Sequence, residues 1–192
     1  MTKRIYLYLA ISLIHVGGVS QMCDTTIHPN GWKEILLGDS FQSVESYLIP
    51  YNRSELKNIA HATPLDAWFV YKNSPYACEQ LKSVIFLHIL VATGPDSNVR
   101  QIKIYIKDSA NALYNFLQKK FGDPSIGSSS ISNSSLNRHY IWKSENDILL
   151  HYLRPKETFG FAKECNVELT FSFMHHANEF REYLVWPRFN IE

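Results

Sequence analysis

The sequence predicts an α+β fold: two tandem α-β-β-β repeats forming one antiparallel sheet with helices on one face, plus a C-terminal helix. Three observations carry this reading. First, QIKIYIKDSANALYNFL from Gln101, a strand running straight into an amphipathic helix, recurs as ELTFSFMHHANEFREYL from Glu168, and the apolar residues at 102, 104, 106, 110, 113, 116 and 117 each meet an apolar partner. Second, WFVYKN from Trp68 matches HYIWKS from His139, and IFLHIL from Ile85 matches ILLHYL from Ile148. Third, the helical DSFQSVESYL from Asp39 matches DSANALYNFL from Asp108. Four matches in the same order, at offsets between 63 and 71 residues, are what fixed elements with loops of varying length produce.

Taken in order, residues 1–20 have the three regions of an export signal. Lys3 and Arg4 are basic, Ile5–Ile14 is an apolar run, and Gly18 and Ser20 are small residues before a cleavage near Ser20. The run is shorter than the ~20 residues a membrane span needs. Cleavage leaves 17 basic against 18 acidic residues, and the mature chain is expected in the periplasm or secreted. Export permits disulfides, and Cys23, Cys78 and Cys165 allow one bridge in three pairings. Cys78 with Cys165 is the preferred pair, each lying in a loop before a strand. Cys23, soon after the signal, raises a lipid anchor as the minority alternative.

The first repeat spans 21–107. Asp39 with Gln42 three residues on reads as a capping box, and Phe41, Val44 and Leu48 share a helical face that Pro50 ends. A shorter helical piece follows from Ser54. Strands are expected at 68–72, 84–93 and 99–106, the last alternating Ile102, Ile104 and Ile106 with Gln101, Lys103 and Tyr105. The second repeat, 108–174, opens with a helix capped by Asp108. Its stripe is Ala110, Leu113, Leu117 and Phe121; Lys119 and Lys120 suit its C-terminal dipole, and Gly122 and Pro124 stop it. The Ser-rich stretch 125–137 reads as a loop. Strands at 138–143, 147–153 and 166–173 precede a helix at 175–184, within the last unit, 175–192.

LGDSFQSVESYL from Leu37 is similar to the Leu-Gly plus helix opening of the BamE-type domains of the bacterial envelope. With the export signal and the order of elements, the chain resembles those domains and the tandem-repeat β-lactamase inhibitor proteins. The resemblance implies a protein-binding role with an open sheet face, and it assigns no functional residue.

Strand parity assigns that face. Trp68, Lys72, His88, Lys103, Tyr105, His139, Lys143, His151, Glu168 and Thr170 are expected to point outward, with Gln101 and Ser172, and Phe86, Leu90, Leu149 and Leu153 are expected beside the histidines. This mixture of aromatic, imidazole and lysine side chains is favoured at protein interfaces. The expected partner is another protein, of the cell envelope, bound either by an inhibitor or immunity-type protein or by an assembly adaptor. A formal charge of +1 without clustered Lys and Arg argues against nucleic acid. There is no G-x-S-x-G, H-E-x-x-H or phosphate-binding glycine loop, so no enzyme activity, cofactor or metal is expected. The alternative of another class is a metal-binding or enzymatic module on His88, His139 and His151, which lack the close paired spacing of a ligand motif.

Overall fold

The alternation around Ile104 dictates a strand with one apolar side, and that strand is central to the sheet. The structure, a computed structural model, describes residues 26–51, 67–73, 75–77, 81–129, 138–144, 146–154 and 164–174. In chain order the strands are β1 (Ile27–His28), β2 (Gly31–Trp32), β3 (Ile35–Leu36), β4 (Leu48–Pro50), β5 (Ala67–Tyr71), β6 (Tyr76–Ala77), β7 (Val84–Thr93), β8 (Val99–Asp108), β9 (Ile126–Ser129), β10 (Arg138–Lys143), β11 (Ile148–Arg154) and β12 (Val167–Phe173). The helices are α1 (Phe41–Val44), which runs into a 3-10 turn over Glu45–Tyr47, and α2 (Ala112–Phe121). The architecture is α+β, mostly antiparallel sheet with two short helices. The export signal, Cys23, the helical piece from Ser54, Cys78 and the helix expected at 175–184 lie outside the described residues.

Strands β1 to β3 form a small antiparallel meander, and the other nine form a second sheet in the order β4-β5-β7-β8-β12-β11-β10-β9, with β6 also pairing β7. The two halves of the chain meet through β8 and β12, where Lys103 lies opposite Thr170 and Tyr105 opposite Glu168. One face of this sheet carries the main core. Ile102, Ile104 and Ile106 pack there with Leu169, Phe171, Leu150 and Tyr152, beneath Leu113 and Leu117 of α2 and Ile27, Trp32 and Ile35 of the meander. Gly31 lets the meander close, since a Cβ at that position would stand 2.3 Å from the Ile35 carbonyl oxygen.

Helix α2 shows how local chemistry sets an element's bounds. Its amphipathic stripe buries Leu113 and Leu117 completely, which supplies the stability that ten residues alone would lack. Asp108 stands ahead of the first turn with its carboxylate accepting from the amides of Ala110, Ala112 and Leu113, each at 3.1 Å. Gly122, at φ +79°, ends the helix by donating to the Gln118 carbonyl. The Asp108 carboxylate thus serves the helix, but from four residues before it, and Asn111 takes the N-cap position where Asp108 was expected.

Other expectations need correction. The capping box at Asp39 does not form: α1 is four residues long, Ser40 precedes it without a side-chain cap, and Asp39 Oδ2 accepts from the Leu36 amide at 2.8 Å. Leu48, expected on that helix, begins strand β4, because its apolar side chain is buried opposite Tyr71 in the sheet. Residues 126–129 of the supposed loop pair with β10 as an edge strand, since backbone pairing does not need apolar side chains.

Candidate functional site

The site follows from the second face of the large sheet, opposite α2. Residues directly across paired strands share a face, and the register lays out three rows. Trp68, Ala92, Gln101, Ser172, Leu149 and Lys143 form one; Val70, Leu90, Lys103, Thr170, His151 and Ile141 the next; and His88, Tyr105, Glu168, Leu153 and His139 the third. Lys72, two residues beyond Val70, shares their side. All ten residues expected on one face therefore lie on one face. Phe86 does not. A register shift between Phe86 and His88 flips the parity, so Phe86 lies opposite Ile106 in the main core.

The face is not open, which corrects the expectation from the sequence. Lys103 is 2% exposed, Tyr105 1%, Trp68 3%, and His151, Glu168 and Thr170 are similarly buried. Only Lys72, His88 and Lys143 of the ten are exposed, and His139 is half-buried. The polar alternation arises because the charges are neutralised by each other instead of by water. Lys103 Nζ stands 3.3 Å from Glu168 Oε1, to which the Thr170 hydroxyl also donates at 3.0 Å. Burial, and then the Glu168 carboxylate, pushes the Tyr105 phenol far above its ordinary range.

The expected bridge from Cys165 would run to Cys78, which lies outside the described residues. Cys165 is a free thiol buried with Trp68, Leu90, Ala92 and Tyr105, where burial raises its pKa to about 11. Such a thiol is not poised as a nucleophile.

The three histidines separate. His139 and His151 touch through their Nε2 atoms, with ring centroids 4.0 Å apart. His88 lies on β7, four strands from β10, which is roughly 19 Å at ordinary strand spacing. A single site on all three is ruled out. Among the described residues no group of three or more His, Cys, Asp or Glu could hold a metal ion. Burial holds His139 down to about 4, with Glu168 opposing the shift. His151 is held well below 6.5 by burial and by the neighbouring His139 and Lys103. Both imidazoles are neutral at pH 7.

What stays exposed is concentrated at one end of this face. Ile49 and Ile85, at 49% and 36%, are the exposed large hydrophobic residues among those described. Ile49 lies opposite Val70, and Ile85 opposite Lys107. Lys72 and His88 lie between them, and the Lys72 ammonium is held by the Ser46 carbonyl at 2.7 Å. Sequence reasoning missed three of these residues. Ile49 was assigned to a helix end, Lys107 lay beyond the expected end of β8, and Ile85 shifts faces across the β7 irregularity, which hydropathy does not reveal.

No family model and no curated protein matches the chain. Among solved structures, a DUF4309 family protein (YjgB) from Bacillus subtilis subsp. subtilis str. 168 is similar over 53% of this chain and 70% of its own, at 10% identity and a TM-score of 0.26. A likeness at that level carries no weight for fold or function. No helix among the described residues is long and apolar enough to cross a membrane.

Proposed function

We propose that the chain is an exported protein-binding module, an inhibitor or immunity-type protein of the β-lactamase-inhibitor and BamE-like kind, which engages an envelope protein through the exposed end of its second sheet face. The observation that carries this is the gathering of Ile49 and Ile85 with Lys72, His88 and Lys107 on one side of one sheet. Isolated exposed aliphatics are ordinary; two of them on either side of Lys72 and His88, with Lys107 beside Ile85, suit a partner surface that sets acidic groups between apolar ones. The buried network beneath acts as a rigid support and does not itself touch the partner. The proposal includes the tandem repeat. It is supported by the sheet order, in which β5-β7-β8 is followed by β12-β11-β10, so that corresponding strands are mirrored about the central pairing.

The test is capture from an envelope extract by the wild-type chain and by the double variant Ile49→Asp with Ile85→Asp. Both positions are exposed, so the variant is expected to fold and to lose the captured partner, whereas Lys143→Glu at the far end of the face retains it. A partner held equally by the wild type and the double variant would overturn the proposal.

A further inference from the structure

A cleft of about 460 Å³ opens at the other end of the molecule, on the α2 side of the sheet. It lies between the β1–β2 turn, the C-terminus of α2 and the β10–β11 hairpin. Its apolar wall is Phe121, Trp142 and Leu150, and its polar rim includes Asn30, Asp123 and Ser144. We propose that this cleft binds a neutral, hydroxyl-rich small molecule, a sugar of one or two rings.

Three features select that chemistry. The volume falls in the range of small-ligand sites, which pair apolar walls with a few placed polar groups. The rim is rich in acceptors and close to neutral. Asp123 has one oxygen engaged by the Gln118 amide at 2.8 Å, and Lys143, which also lines the cleft, is paired with Asp147 at 3.3 Å. Among the described residues of the lining an anion meets no unopposed cation, while carboxylate and amide oxygens accept readily from hydroxyl groups. The third feature is Ser144. Its Oγ is shut off from solvent and has no hydrogen-bond partner, although the backbone around it is fixed by its amide donating to the Ile148 carbonyl at 2.9 Å. A buried hydroxyl without a partner is uncommon; Ser144 itself is half-buried and lines the cleft, so rotation about χ1 would turn its hydroxyl out to meet a ligand hydroxyl. The apolar wall would meet the C–H side of a sugar ring. Trp142 is itself held in place, its indole N–H donating to the Gly122 carbonyl at 2.9 Å.

The experiment is saturation-transfer NMR on the full chain with glucose, N-acetylglucosamine, maltose and glucose 6-phosphate as probes. At least one neutral sugar is expected to receive transfer, and glucose 6-phosphate to receive less than glucose. Ser144→Val and Asn30→Ala, with melting temperatures close to wild type, are each expected to weaken binding by about tenfold, the usual effect of losing a hydrogen bond to a ligand. Should Ser144→Val fail to fold, Asn30→Ala on the half-buried β1–β2 turn decides. No transfer to any neutral sugar, equal binding by the folded variants, or preference for the phosphate would each overturn the proposal.

Discussion

Replacing Lys103 with methionine tests whether the buried network is an ion pair on which the sheet depends. The two charged atoms are 3.3 Å apart, on side chains 2% and 9% exposed. At an effective dielectric constant of about 20, charges at that distance attract by roughly 5 kcal/mol. Desolvation offsets much of this in the intact pair, but removing one partner leaves the other buried and uncompensated, at a cost of about 3–5 kcal/mol. For a chain of this size that corresponds to a melting temperature lower by roughly 6–20 °C. Urea denaturation followed by tryptophan fluorescence would measure the loss for Lys103→Met, Glu168→Leu and both together. The double variant is expected to recover most of the stability, because it leaves neither charge stranded. If Lys103→Met costs less than ~1 kcal/mol, or if the two losses simply add, the pair is not coupled in the way its geometry implies.

Two further outcomes follow from the same face and from the seam beside it. His139 and His151 are neutral when folded and titrate normally when unfolded, so the unfolded state takes up protons first as the pH falls. Stability is therefore constant above about 6.5 and declines towards about 4, with His139 contributing on the order of 2–3 kcal/mol after allowance for its partial exposure; the double variant His139→Asn with His151→Asn should flatten urea-derived stability across that window, and an unchanged slope would refute the assignment. Asp108→Ala removes a completely buried carboxylate that accepts from three amides at the start of α2; a loss of at least ~2 kcal/mol is expected in denaturant titration, at the upper end for a helix cap, and a loss below ~0.5 kcal/mol would show that those amides find other partners.

The strands of the large sheet were legible because period-two alternation and β-branched runs are local properties. Strands β7 and β10 fall at their expected bounds, and β5, β8, β11 and β12 shift by no more than two residues. The meander at 27–36 was not legible. Its strands are two residues each and gain their stability from Ile27, Trp32 and Ile35 packing on the distant sheet. The grouping of the ten candidate residues on one face was also readable, since parity fixes the side to which each residue points. Their burial was not. Alternation reports polarity, and it cannot distinguish a lysine facing water from one facing a buried glutamate on another strand. The cleft was still less accessible, because Asn30, Phe121 and Ser144 come from three separate elements with no shared motif.

The position of the ion pair gives it a role beyond its modest net contribution to stability. Lys103 belongs to β8 and Glu168 to β12, the two strands through which the halves of the chain join. In the observed register every ionised group of this pairing falls on the second face, and Ile102, Ile104, Leu169 and Phe171 fall on the core face. A slip of one residue by β12 would turn Glu168 and Thr170 into the apolar layer and leave Lys103 opposite leucine or phenylalanine. Two unpaired buried charges would then oppose the slipped sheet, whereas a purely apolar seam would tolerate the slip at the cost of packing alone. The network thus discriminates between registers more strongly than it stabilises the correct one.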